Sequence, residues 1–136
     1  MRKSLLAVAF IAAVAAAAPA LAKTISEAEA KRTFFGLDMG GVYQPDGAPW
    51  RECIEPSGKT RYWHDGVYDN GKLTISKEGY LCFSYESRNF QDQACFTAER
   101  SGKGWKFVSI EDAASVFLAT RATKVKACPA LDAPSV

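Results

Sequence analysis

The sequence has one histidine, His64, and it stands next to Asp65. A histidine beside a carboxylate is the usual raw material of a general base. Adjacent residues on an extended chain point to opposite sides, so Asp65 is badly placed to orient the ring. No G-x-S-x-G element supplies a nucleophile. Hydrolysis by two carboxylates needs a facing pair. Glu52 and Glu55 are three apart on an expected strand and face opposite sides, and Glu111 and Asp112 are adjacent in an expected turn or cap. Each of these reads as a solvated charge. One histidine and scattered carboxylates are not a metal-ligand set, so neither a metal nor a cofactor is expected.

Four cysteines, Cys53, Cys82, Cys95 and Cys128, are the other reactive group. A zinc site or a redox motif would need close-spaced pairs such as C-x-x-C, and there are none. An even count in a small exported domain reads as two disulfides, with three pairings open. Cys82 and Cys95 each stand beside a phenylalanine on runs that look like neighbouring strands. A Cys82–Cys95 bridge would staple that hairpin and leave Cys53–Cys128 to tie down the C-terminal segment.

The export reading comes from the first 22 residues. Arg2 and Lys3 are a positive start, Leu5 to Ala18 is an apolar run, and Ala20-Leu21-Ala22 is a small–x–small cleavage site. The run has about 14 residues, short of the ~20 that span a bilayer, so a cleaved signal peptide is expected rather than an anchor. Cleavage before Lys23 removes two of the 17 basic residues and none of the 15 acidic ones, leaving a neutral chain. A neutral domain lacks the basic footprint of a nucleic-acid binder or of a protein held on anionic lipid. The expected location is the periplasm or beyond.

These side chains must be held by a small fold. Residues 23–128 suffice for one domain with one core, and a Pro/Ala-containing tail at 129–136 follows it. Ser26-Glu27-Ala28-Glu29 is a capping-box pattern, which predicts a short helix over 25–35, stopped at Gly36. After it the hydrophobic period drops to two. Strands are predicted at 40–44, 50–55, 60–64, 73–76, 80–85, 94–99 and 105–110, with a short element at 67–68 between the turn dipeptides Asp65-Gly66 and Asn70-Gly71. Residues 109–120 fit either a capped helix or a turn at 111–114 and a strand from Ser115. The β-branched residues of 116–125 favour the strand. The expected fold is mainly β: a disulfide-stapled antiparallel meander, sandwich or barrel of about six to eight strands with one short N-terminal helix.

Gly66-Val67-Tyr68, Gly71-Lys72-Leu73, Gly79-Tyr80-Leu81-Cys82-Phe83, Cys95-Phe96 and Gly104-Trp105-Lys106-Phe107 form a series. It resembles small exported proteobacterial β-proteins of unknown function that show a G-x-Y/W … G-x-L-C … C-[YF] pattern. The resemblance implies a β fold and the Cys82–Cys95 bridge, and carries no activity.

The aromatic residues give the functional expectation. Period two between Trp50 and His64 puts Tyr62 and His64 on one face and Arg61 and Trp63 on the other. Both faces carry a ring, yet a half-solvated sheet has one core face. A ring set left over from the core suits recognition, and Trp50, Arg51, Tyr62, Trp63 and His64 are the expected contact set. The leading expectation is a non-enzymatic domain that binds an envelope protein or a cell-wall glycan. A small hydrolase using a carboxylate and His64 is the alternative. A closed barrel carrying a small ligand is another, and it requires an apolar cavity. The polar loop 86–93 reads as a solvated connection with Phe90 folded back on its hairpin.

Overall fold

A computed structural model describes residues 25–129. The expected leader and residues 130–136 of the expected tail lie outside the described residues. One helix, α1 (Glu27–Phe34), precedes eight strands. They are β1 (Leu37–Tyr43), β2 (Pro49–Ile54), β3 (Lys59–His64), β4 (Val67–Ile75), β5 (Leu81–Tyr85), β6 (Gln93–Ser101), β7 (Gly104–Ser109) and β8 (Val116–Lys124). Each strand pairs antiparallel with the next, and β8 returns to β1, so the meander closes into a barrel. Closure leaves no sheet edge to pair with another chain. No described helix is long and apolar enough to cross a membrane.

The helix forms where the capping signal stands. The Ser26 hydroxyl accepts a hydrogen bond from the Glu29 amide at 3.2 Å. Glu27 and Glu29 occupy the first turn and Lys31 and Arg32 the last, which complements the helix dipole. At the other end the Lys124 ammonium donates to the carbonyls of Arg32, Thr33 and Phe35 at 2.9–3.4 Å. The end of β8 therefore caps the helix. Ala30 and Phe34, four apart on one face, are both fully buried. Phe34 meets Trp105 and Phe107 edge-on at 4.8 and 5.6 Å. With Leu37, Ile54, Leu73 and Leu81 it fills one end of the barrel.

The cysteines pair as expected: Cys82 bonds Cys95 across β5 and β6, and Cys53 on β2 bonds Cys128. Two disulfides fit an oxidising compartment. Residues 111–114 are connection, and the ambiguous segment continues as strand. One expectation is overturned. Asn70-Gly71 is not a turn, because β4 runs unbroken through it and merges two predicted elements. A Cβ at Gly71 would lie 2.7 Å from the Ser84 carbonyl oxygen, the Thr60 hydroxyl and the Tyr85 ring. Glycine here admits a neighbouring ring instead of reversing the chain.

Candidate functional site

Strand alternation sends Trp50, Glu52 and Ile54 of β2 inward. Glu52 stands opposite Tyr62 of β3, and Trp50 opposite His64. Ile54 belongs to the plugged end, whereas Trp50 and Glu52 line a cavity of about 150 Å³ in the other half of the barrel, partly open to solvent. Its wall is almost wholly apolar, with Met39, Phe83, Phe96, Phe107 and Phe117 contributed by five strands. Ala94 lies on this wall and is solvent-exposed, which marks the side by which the cavity is reached. Trp50 and Phe117 cross at a right angle with centroids 5.6 Å apart, as do Phe96 and Phe117. Such edge-to-face contacts hold the wall rings in place.

Glu52 is the one acidic residue in that wall. It is 3 % exposed. The Tyr85 hydroxyl donates to its Oε2 at 2.8 Å. Gly71 is what lets the Tyr85 ring reach this position, since a side chain there would strike it. The other oxygen, Oε1, has no partner, and neither has the Trp50 indole nitrogen. Burial pushes the Glu52 carboxyl up to about 8, and the Asp69 charge adds to the rise. The Tyr85 and Thr60 hydroxyls oppose it. The Thr60 hydroxyl nonetheless completes no hydrogen bond of ordinary geometry, so Tyr85 is the firm contact. Burial thus favours the neutral, protonated form of Glu52. Burial also raises Tyr62 and Tyr85, with the neighbouring Glu52 adding to both.

The residues of the expected contact set lie on both sides of the sheet. Trp50 and Tyr62 line the cavity. His64 follows the Tyr62 ring at 6.2 Å, its Nδ1 lies 3.3 Å from the Pro49 carbonyl oxygen, and it is not part of the cavity wall. Arg51 and Trp63 have the opposite parity and stand on the outside. There Arg51 holds Asp38 through two hydrogen bonds of 2.9 and 2.5 Å, and Trp63 is 8 % exposed. Glu52 corrects the expectation of a solvated charge. It shares the parity of Trp50 and Ile54, and that pattern of apolar, acidic, apolar was the available signal. Phe90 is half exposed with a left-handed backbone, at the lip of a depression on the outer surface that includes Arg61 and Lys72.

The open end is also distinguished by charge. Four connections surround it, residues 44–48, 65–66, 86–92 and 110–115. They carry Asp46, Asp65, Glu86, Asp92, Glu111 and Asp112 against one basic residue, Arg88. Asp69 of β4 joins them, held by the amide and hydroxyl of Ser87. The three connections at the plugged end, 55–58, 76–80 and 102–103, carry two residues of each sign, Glu55 and Glu78 with Lys77 and Lys103. Among the described residues no group of three or more His, Cys, Asp or Glu is arranged to hold a metal ion.

Comparison with protein-family models, with curated proteins and with solved structures finds no match.

Proposed function

We propose that the protein is a periplasmic carrier that holds one small ligand inside its barrel, with no chemical step. The observation that carries this reading is the apolar, partly open cavity at the open end, walled by rings and by the single buried acid Glu52. A barrel of eight strands is wide enough to hold a small ligand. A volume of about 150 Å³ matches a ligand the size of benzene. The ring-lined wall would supply affinity, and Glu52, Tyr85 and Trp50 would orient the ligand.

The geometry favours this over a docking face for an envelope protein or a wall glycan. Such a face needs contiguous rings outside; Trp63 is covered, and Tyr68 opposite it is the exposed ring of that hairpin. It also favours carriage over hydrolysis, because His64 and Glu52 do not share the cavity. Titration of the oxidised protein with a panel of molecules of up to about ten heavy atoms, followed by amide NMR shifts, tests the proposal. Shifts centred on Glu52, Tyr62, Phe96 and Phe117, lost in Ala94→Phe, are the expected result. Shifts confined to the outer surface, or none with any member, would overturn it.

A further inference from the structure

The chemistry around the cavity narrows the ligand class, granted that the cavity is a binding site. We infer that the ligand is a small organic ammonium ion, with Glu52 as its counter-ion and the ring faces around it as its walls. Four observations converge. Glu52 is the one acidic side chain in the wall, and beyond the Tyr85 hydroxyl no described group holds its carboxyl with a hydrogen bond of ordinary geometry. Seven aromatic rings line the same space, and ring faces attract cations that lack strong hydration. No lysine or arginine is in the described wall, so nothing intramolecular neutralises the carboxylate. The surrounding connections hold six carboxylates against one arginine, whereas the plugged end is balanced. A one-signed rim around a low-dielectric cavity concentrates ligands of opposite charge.

The cation and the proton of Glu52 compete for the same carboxylate. Burial favours the protonated carboxyl. When the ammonium enters, the O–H bond of Glu52 breaks, the proton passes to solvent, and the carboxylate pairs with the cation. The titratable groups facing Glu52 are Tyr62 from β3, Asp69 from β4 and Tyr85 from β5. Tyr43 of β1 acts at one remove through Tyr62. The two facing tyrosines are raised and stay neutral, and the Asp69 charge favours a cation as it disfavours the carboxylate.

The test compares choline with its uncharged carbon isostere, 3,3-dimethylbutan-1-ol, by calorimetry on the oxidised protein. The two probes have one shape and differ in charge. Choline is expected to bind at least about tenfold more tightly at pH 8, with affinity rising toward about tenfold per pH unit between pH 6 and 7.5 and levelling above. At pH 6.5, runs in buffers of different ionisation enthalpy should show close to one proton released. Glu52→Gln should lose both the preference for choline over the isostere and the pH dependence. Equal or tighter binding of the isostere, or choline binding without proton release, overturns the cation inference and leaves the carrier reading standing. Binding of neither probe overturns the inference, and the ligand panel then judges the carrier reading by itself. The wild-type pH profile decides the matter even where the variant fails to fold.

Discussion

The two ends of the barrel are built from the same eight strands and differ in what fills them. At the plugged end a residue from outside the sheet, Phe34, is driven between Trp105 and Phe107, and the aliphatic side chains around it are fully buried. At the other end no described helix covers the strands. The inward positions carry rings that brace one another across a space they do not fill. The wall of that end also holds the buried acid Glu52. The lesson is a division of labour: the helix and aliphatic residues carry stability, and the rings with Glu52 carry the capacity to bind.

Several substitutions can break or sharpen that contrast. The largest effect is expected from the disulfides. Replacing Cys53 and Cys128 by alanine removes a link with a sequence separation of 75 and should cost roughly 4–5 kcal/mol, against about 3 kcal/mol for the pair Cys82 and Cys95, separated by 13. Urea melts of the two double variants check the order, and the reverse order would show that loop entropy is not the main contribution. Next, Phe34→Ala should cost about 3–5 kcal/mol. Phe117→Ala, at the partly buried wall of the cavity, should cost roughly half as much. Equal losses would erase the distinction between the two ends.

The pH dependence sharpens the contrast further. Glu52 has a folded pKa of about 8 against an ordinary value of 4.5. Below 4.5 both states hold the proton and Glu52 carries no charge penalty. Between 4.5 and 8 the unfolded chain loses the proton first, so folded stability falls as pH rises, by at most about 1.4 kcal/mol per pH unit. Glu52→Gln should remove that part of the slope, read from denaturant melts at pH 5 and 8. An identical slope in the two proteins would place the Glu52 carboxyl in water. The smallest effect belongs to the plugged end: Ser26→Ala, which deletes the helix cap, should cost about 1 kcal/mol and leave ligand binding unchanged.

Much of this architecture is legible in the sequence. The capping box reports the helix, and period two reports the strands. The two cysteines on neighbouring strands report their own pairing, because cross-strand neighbours are set by local register. The features that define the site are harder to read. Asn70-Gly71 has the composition of a turn, and only the Tyr85 ring arriving from another strand explains the glycine. Glu52 reads as a solvated charge until the barrel closes around it. The acidic rim is invisible for a similar reason. Its residues are scattered over four connections, and they gather at one end because an up-and-down barrel brings every second connection to the same side. Alternation alone sets Tyr62 and His64 apart from Trp63, and only closure of the barrel decides which of the two faces is inside.

The central claim is that Glu52 is a buried acid whose charge belongs to the ligand. The most direct measurement is the carbon-13 chemical shift of its side-chain carboxyl, followed against pH with and without saturating choline. The account predicts a midpoint near 8 in the free protein. With choline bound, the midpoint should fall well below that value. A free-protein midpoint in the ordinary carboxylate range, or a midpoint that choline leaves unmoved, would contradict it.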